Sequence, residues 1–443
     1  MKKRVLALTL AFTLAASALA GCGGDKKEET KAPETKAAGE ETKAPAGDDE
    51  KEETKAPAGG DEKEETKAPA DGDEKEETKA PVASGESKGV IKLGGVAPMT
   101  GQYAEYGKGF DIGFSKAIDE INAAGGVNGY TFEISIEDTQ SDPVNSSTMA
   151  TKFAEDEEVM AILGDFSSGA CKANAEICDR YGIVQLSPTA SASDYASMSK
   201  YCFGIMGRQD VEAPFLAKYV LKEYLKAQKI AVIRVDSDWG KSCYDNFIAQ
   251  AEKEGLEVTV ETYATGEKDF SSLITKMQAE NPDVLVVMDQ GDPVADIFNQ
   301  ADAAGWEIQH VALGPGTSEQ VAGRLGDKDN LIVTSPFFFD PEDAELAAWA
   351  EWFSSEAGFA PTIHPACAYD CIYLIAEAVK NIDGEVTRDA LQEALANLPE
   401  YTGVTGAIKF EADGDIKRNY LICGIEGGEW KVLEGFEYGA AGF

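Results

Sequence analysis

Two consecutive serines, Ser167 and Ser168, lie in the segment Phe166-Ser-Ser-Gly169, between an apolar run and a helical pattern. Their hydroxyls would converge with the free backbone N–H groups of the first helical turn, at the positive end of the helix dipole. An anion binds well in such an arrangement, and a carboxylate would fit there. The simpler interpretation of these residues alone is that Ser167 only caps the helix, a common role of serine.

The chain offers little that could serve catalysis or metal binding. His310 and His364 are its two histidines, neither has the spacing of a metal ligand, and no Gly-x-Ser-x-Gly motif occurs. Cys367 and Cys371 are four residues apart, as a metal pair can be, but they lack imidazole partners. The glycines of the segment 107–113 have the wrong spacing for a dinucleotide loop and follow their strand too late. We therefore predict no metal, no cofactor and no enzymatic activity.

Charge excludes a further class of partner. The chain has 79 acidic and 40 basic residues, with a formal net charge of −39. Because nucleic-acid binding needs clustered Lys and Arg, we expect no nucleic-acid partner and a strongly acidic surface. Besides Cys22 there are seven cysteines, an odd number without framework spacing, which we expect to be mostly buried thiols. Their redox state stays open; they are Cys171, Cys178, Cys202, Cys243, Cys367, Cys371 and Cys423.

The first 21 residues predict a signal peptide. A positive start, Lys2-Lys-Arg4, precedes an apolar stretch, Val5–Leu14, that is too short to span a bilayer. The segment Leu19-Ala-Gly-Cys22 resembles the bacterial lipobox, which implies cleavage before Cys22 and a diacylglycerol on its sulfur. An ordinary signal peptide followed by a chance cysteine is the alternative. No later stretch is apolar enough to span a membrane, so lipid would be the only anchor, on the outer face of the cell membrane.

Residues 22–88 predict a disordered, acidic tether. The sequence Asp-Glu-Lys-Glu-Glu-Thr-Lys-Ala-Pro begins at Asp49 and recurs from Asp61 and Asp73, with a 12-residue period. Such a segment cannot bury enough apolar surface to offset the entropy of ordering. As a flexible coil of ~65 residues it would span about 45 Å, enough for a spacer across a cell wall. Folding on a cationic partner is the alternative.

Beyond the tether, strand and helix patterns alternate, which predicts an α/β protein with parallel sheets covered on both faces. The predicted strands are Val90–Val96, Tyr130–Glu137, Val159–Leu163, Ile183–Leu186, Ile230–Val235, Val258–Thr262 and Val284–Met288. The predicted helices are Phe110–Ile121, Ser147–Glu155, Ala170–Arg180, Pro214–Ala227, Lys241–Glu254, Phe270–Ala279 and Val294–Ala304.

The last hundred residues break this alternation. Three helical patterns come first, at Glu342–Glu356, Ala366–Lys380 and Thr387–Leu395. Three strand patterns follow and predict a meander with a turn at Asp413-Gly414; they are Gly406–Phe410, Tyr420–Ile425 and Trp430–Leu433.

Four motifs, in this order and spacing, resemble the branched-chain amino-acid binding proteins of ABC importers. They are Gly94-Gly-Val-Ala-Pro-Met-Thr-Gly101, Ile121-Asn-Ala-Ala-Gly-Gly-Val-Asn-Gly129, Glu137-Asp-Thr-Gln-Ser-Asp-Pro143 and Leu186-Ser-Pro-Thr-Ala190. Each is weak alone, and together they are highly specific. The resemblance covers almost the whole region from Val90 to Leu433.

The resemblance implies a type I periplasmic-binding fold: two doubly wound α/β lobes joined by a three-strand hinge, with one ligand in the cleft. Carried onto this chain, the three crossings lie near Arg208, Ser335 and Gly403. The expected domains are lobe 1, residues 89–208 plus 336–403, and lobe 2, residues 209–335 plus 404–443.

The resemblance also assigns roles to residues. It implies a ligand-carboxylate contact at Ser168, a second contact pair at Thr189 and Ser191, and rings flanking the ligand side chain at Tyr106 and Trp239. Both aromatic residues lie in polar, glycine-bounded loops, although lone aromatics more often belong to a core. The predicted ligand-binding residues are Tyr106, Phe166, Ser167, Ser168, Thr189, Ala190, Ser191, Trp239 and Gln290.

One departure from the family pattern concerns the ligand. An acid on lobe 2 meets the ligand ammonium in amino-acid binders of this family, but the matching stretch, Leu313-Gly-Pro-Gly-Thr317, has none. Because a buried ammonium needs a counter-charge, either Asp210, Asp289 or Asp292 supplies it, or the ligand lacks an amino group.

The predicted function is that of a lipid-anchored, monomeric solute-binding protein that captures a small amino acid-like carboxylate and delivers it to a membrane-embedded ABC permease. Two alternatives remain. One is a ligand-sensing receptor subunit with the same fold, and the other is a binder of an aromatic or aliphatic carboxylate that is not an amino acid. Ligand identity is left open by the sequence.

Overall fold

The computed structural model describes residues 87–326, 330–426 and 429–434. The predicted signal peptide, the predicted lipidation site at Cys22 and nearly all of the predicted tether lie outside the described residues, as do residues 435–443. Within the described part of the chain, no helix is long and apolar enough to cross a membrane.

The described chain alternates strands and helices, with short one-turn segments between some of them. The strands are β1 Gly89–Ala97, β2 Tyr130–Asp138, β3 Val159–Gly164, β4 Val184–Ser187, β5 Cys202–Gly204, β6 Lys229–Val235, β7 Glu257–Tyr263, β8 Val284–Met288, β9 Gln309–Ala312, β10 Leu331–Ser335, β11 Tyr401–Gly403, β12 Gly406–Ile408, β13 Leu421–Glu426 and β14 Glu429–Glu434. The helices are α1 Ala104–Ala123, α2 Pro143–Glu155, α3 Ser168–Tyr181, α4 Gln209–Phe215, α5 Asp238–Glu254, α6 Ser271–Ala279, α7 Asp292–Ala303, α8 Glu319–Leu325, α9 Ala344–Ala357, α10 Ile363–Lys380 and α11 Arg388–Ala396.

Two large sheets organise the chain. The first has the order β2-β1-β3-β4-β5 and is parallel throughout. The second has the order β14-β13-β10-β9-β8-β6-β7, parallel except for β13 and β14, which extend its edge in antiparallel pairing. Central strands such as β3 and β8 are apolar and buried, as strands covered by helices must be. The predicted fold class, α/β with helices flanking parallel sheets, is confirmed.

After β10 the chain returns to the first sheet. Helix α10 packs against α1, and the Arg388 side chain of α11 donates to the carbonyl oxygens of Val159 (2.9 Å) and Ala154 (3.0 Å). Ile408, Phe410 and Ile416 also belong to the hydrophobic core that surrounds the first sheet. The predicted lobe boundaries and the three predicted crossings stay predictions.

A buried carboxylate shapes the segment after β11. Asp370 on α10 accepts hydrogen bonds from the backbone N–H groups of Val404 and Thr405, both at 2.9 Å, and from the Thr405 hydroxyl at 2.6 Å. Gly403 passes so close to this carboxylate that a Cβ there would meet it at 2.4 Å. Only glycine therefore allows this approach of the backbone to Asp370.

Several sequence predictions differ from the structure: α1 begins at Ala104, six residues before the predicted Phe110, and β5, β9, β10 and β11 were not predicted. The predicted three-strand meander is wrong, because β12 pairs with β11 in a separate hairpin while β13 and β14 join the second sheet. The helix predicted at Pro214 begins five residues earlier, as α4, and continues as a π-helical segment, Leu216–Tyr224. The turn at Asp413-Gly414 is confirmed. The seven cysteines outside the signal region are free and buried, as predicted.

Candidate functional site

Two neighbouring strands of the first sheet bring the predicted serines together. β3 and β4 are parallel neighbours, so their carboxyl ends lie at the same edge of the sheet, where open α/β sheets bind ligands. Ser168 follows β3 and Ser191 follows β4. The Ser168 Oγ atom accepts the backbone N–H groups of Ser191 and Ala192, both at 3.2 Å, and only 1% of the residue is exposed.

The hydroxyls at this edge divide into two groups. Ser167 caps α3, since its Oγ atom accepts the Ala170 N–H at 3.2 Å, and Thr189 donates to the Phe166 carbonyl oxygen at 2.7 Å. The oxygens of Ser168 and Ser191 act as acceptors, and their protons, like that of Ser167, find no acceptor among the described residues; Ser168 and Ser191 are buried, whereas Ser167 is partly exposed. These two hydroxyls can therefore donate to an anion.

A stack of aromatic rings lies beside the serines. The ring of Tyr106, on α1, lies 3.9 Å from that of Phe166 at an angle of 16°, and Tyr103 lies 5.0 Å from Phe166. His364 contacts Tyr106 edge-on at 4.8 Å. Burial lowers the pKa of His364 to about 3, so the imidazole is neutral. The rings form an apolar wall and supply no charge at neutral pH.

Trp239 connects the two sheets. It lies in the first turn of α5, after β6 of the second sheet, and is buried. Its indole Nε1 donates to the Ser191 Oγ atom at 3.0 Å. We use the word cleft for the predicted ligand site at Ser168, Ser191, Tyr106 and Trp239, all of which are buried.

Asp289 and Gln290 follow β8 and are both buried. The Asp289 carboxylate accepts the Gln290 backbone N–H at 2.7 Å and the Tyr263 hydroxyl. Burial raises the pKa of Tyr106 and Tyr103 above their usual value, and Asp289 raises both further, which places the carboxylate near these rings. Burial also raises the pKa of Asp289 itself to about 7.

The other two acids proposed as counter-charges already have cationic partners. Asp210 forms an ion pair with Arg208 at 2.5 Å, and Asp292 forms one with Arg324 at 3.0 Å. Asp289 has no ion pair among the described residues; Lys268 favours its charged form only weakly. Of the three candidates, Asp289 is the buried carboxylate that a ligand cation would complement.

A fourth acid, Glu212, was missed by sequence reasoning. It lies on α4, is 4% exposed, and accepts the Gly314 N–H at 2.9 Å and the Thr334 hydroxyl at 2.6 Å. Burial raises its pKa. A carboxylate from α4 thus bonds to the backbone of the stretch 313–317, which contains no acidic residue of its own. Its i, i+3 spacing from Gln209 was the available signal, since it places both side chains on one helix face.

The residues brought together can bind both ends of a zwitterion. Two hydroxyls can donate to a carboxylate, the rings can cover an apolar side chain, and Asp289 can accept an ammonium. Ala190 is buried behind the serines, where its N–H donates to the Ser187 hydroxyl at 2.9 Å. In the described residues, no group of three His, Cys, Asp or Glu side chains could hold a metal ion.

Comparison with known proteins gives consistent matches. A family model described as periplasmic binding protein matches residues 90–429. Leu/Ile/Val-binding protein homolog 1 of Brucella abortus (strain 2308) is 28% identical over 339 residues, which cover 76% of this chain and 90% of the relative.

Two solved structures are similar as well. The branched-chain amino acid transporter substrate binding protein of Streptococcus pneumoniae, in complex with isoleucine, has a TM-score of 0.72 and 26% identity, and the match covers 77% of this chain and 98% of that one. A solute binding protein of an ABC transporter from R. palustris, in complex with benzoate, shares the fold at a TM-score of 0.71 and 21% identity, with 78% and 95% covered.

Proposed function

The chain belongs to the periplasmic binding protein family, and from this premise we propose that it captures a small amino acid-like carboxylate outside the cytoplasm and delivers it to an ABC permease. The observation that carries the proposal is the combination of two buried hydroxyls whose protons find no acceptor, and a buried carboxylate that has no ion pair, among the described residues. The role is binding without catalysis.

The charges of the cleft favour an α-amino acid. Ser168 and Ser191 donate to the ligand carboxylate at the amino end of α3, where the helix dipole adds to the attraction. Asp289, which has no ion pair among the described residues, accepts the ligand ammonium. The Tyr106–Phe166 stack covers the apolar side chain.

An aromatic carboxylate is the second candidate. The same ring stack could pack against an aromatic ligand, and the R. palustris protein with this fold was solved with benzoate. With such a ligand Asp289 would stay protonated, as its raised pKa permits. An amino acid ligand therefore requires a charged Asp289, and an aromatic carboxylate requires a protonated one.

Closure of the cleft depends on contacts between loops of the first sheet and helices of the second. Besides Trp239 and Ser191, the Gln320 side chain donates to the Gln102 carbonyl oxygen at 2.9 Å. Ligand contacts from both sides exist together only when the cleft is closed. Ligand therefore shifts the population toward the closed state by its differential affinity for that state.

A thermal-shift screen tests the proposed function. We expect L-leucine or a related amino acid to raise the Tm of the chain from Ser87 onward, because ligand at a hundred times Kd stabilises by about 2.7 kcal/mol. For a protein of this size that is a shift of roughly 4 °C. If no amino acid and no aromatic or aliphatic carboxylate raises the Tm, the proposed function is wrong.

The proposal includes a lipid anchor at Cys22, supported by the lipobox-like segment that precedes it. Two acyl chains bind a membrane stably, and the tether of ~65 residues would let the binding region reach a permease. We expect Cys22→Ser to move the protein from the membrane fraction to the soluble extracytoplasmic fraction. Unchanged membrane association of this variant would contradict lipid anchoring. A Cys423→Ser variant, which changes a buried thiol, serves as the control.

A further inference from the structure

The hydroxyl group of Ser191 has both of its lone pairs occupied. Its oxygen accepts one hydrogen bond from Gln209 Nε2 at 3.2 Å and one from Trp239 Nε1 at 3.0 Å. Both partners are N–H groups, which can only donate. The proton of Ser191 must therefore point to a third group, and the cleft is where a ligand would offer one.

Glu212 determines which end of the Gln209 side chain faces Ser191. The Gln209 NH₂ group donates its second proton to Glu212 Oε2 at 2.7 Å, while the Gln209 carbonyl oxygen is buried and has no hydrogen-bond partner among the described residues. A carboxylate accepts and never donates, so it holds the NH₂ end in place. The backbone fixes the pair as well, because the Gln209 N–H donates to the Ser191 carbonyl oxygen at 2.8 Å.

The other oxygen of Glu212 is held from the second sheet. It accepts the Gly314 N–H, which can only donate, and the Thr334 hydroxyl. In a Glu212→Gln variant the amide oxygen would stay with these two donors, and the new NH₂ group would face Gln209. Two NH₂ groups cannot bond to each other, so the Gln209 amide would turn over and present its oxygen.

We propose that Glu212 is a specificity-determining positioning residue, which, through Gln209, makes the Ser191 hydroxyl a hydrogen-bond donor to a carboxylate ligand. When the Gln209 amide turns over, the Ser191 hydroxyl donates to the Gln209 oxygen, and toward the ligand it can then only accept a hydrogen bond. The number of internal hydrogen bonds is then kept, the Gln209 NH₂ group lies where its carbonyl oxygen had no partner among the described residues, and recognition of an anion is lost. This inference rests on the proposed function.

Calorimetric titration with L-leucine and L-leucinamide tests the proposal. A charged hydrogen bond contributes enough that its loss in Glu212→Gln should raise the Kd of L-leucine by roughly tenfold to a hundredfold. L-leucinamide carries an NH₂ group that can donate to Ser191, so its affinity relative to L-leucine should rise. The benzoate and benzamide pair replaces these probes if the protein responds to benzoate instead.

A double-mutant cycle separates this role from a merely structural one. Gln209→Leu removes the connecting amide, so Glu212→Gln should change the Kd by less than about twofold in that background. An equal loss of affinity in both backgrounds would overturn the proposal, as would an unchanged Kd in the single variant.

The proposal can also be judged if the proposed function fails. If the wild type binds no amino acid and no aromatic or aliphatic carboxylate, the proposed function is wrong, but the Gln209 side-chain NH₂ resonances of the ligand-free protein still report on the bonds of this group to Ser191 and Glu212. We expect Glu212→Gln to shift these resonances, which the Gln209→Leu variant assigns because it lacks them. Gln209 NH₂ resonances that do not respond to Glu212→Gln would overturn the inference.

Discussion

Replacing Asp289 with Asn is expected to weaken the binding of L-leucine by a hundredfold or more and to leave 4-methylpentanoate, the same molecule without its amino group, unaffected. The ligand ammonium would lose its counter-charge in a buried site, where an unpaired charge is costly. Calorimetric titration of both ligands measures the difference. Asp292→Asn is the matched control, because that carboxylate is paired with Arg324 and partly exposed, and its effect should stay within twofold.

Equal losses for the two ligands in Asp289→Asn would show that the carboxylate does not meet the ammonium. The same variant gives a check without ligand. Because burial raises the Asp289 pKa from its usual 3.8 to about 7, the folded state binds the proton more tightly than the unfolded state. The contribution of Asp289 to the free energy of unfolding of the wild type is therefore lost as the pH rises from about 4 through 7, at up to about 1.4 kcal/mol per pH unit. The Tm of Asp289→Asn relative to wild type should rise over this range.

Replacing Ser168 with Ala is expected to damage both the fold and the binding of any carboxylate ligand. The change removes the acceptor for two buried N–H groups, those of Ser191 and Ala192, and each unsatisfied group costs about 1–3 kcal/mol. It also removes one donor to the ligand carboxylate, so we expect the Kd to rise by roughly tenfold to a hundredfold. Urea unfolding and calorimetry measure the two effects separately.

The neighbouring serine provides the control for this prediction. Ser167→Ala removes only the cap of α3, which should cost about 1 kcal/mol of stability and leave the Kd within twofold. Similar losses of affinity in the two variants would contradict the assignment of the ligand contact to Ser168.

Local patterns identified the loop after β3 but could not distinguish its two serines. Ser167 has the β-region backbone of a cap and bonds within its own turn, as local rules predict. The role of Ser168 depends on the N–H groups of residues 191 and 192, which reach it only because β4 pairs beside β3. A local pattern carries no information about a partner 23 residues away.

Several strands were missed for a related reason. β5, β9, β10 and β11 have three to five residues each, too few for a periodic pattern to separate them from a loop. Their pairing with neighbouring strands makes them strands. Glu212 was missed because its hydrogen-bond partner Gly314 is 102 residues away in the chain, beyond the range of any local pattern.

The sequence by itself determined the alternation of strands and helices and the family, and it predicted an anion-binding loop at Phe166–Gly169, because these depend on short-range periodicity and on motifs in order. Only the tertiary structure decided which acids are free to meet a ligand. Asp210 and Asp292 are paired with arginines, whereas Asp289 is buried beside the aromatic stack and Glu212 is bonded to Gly314. The physical reason is that charge pairing and burial depend on residues distant in the chain, which only folding brings into contact.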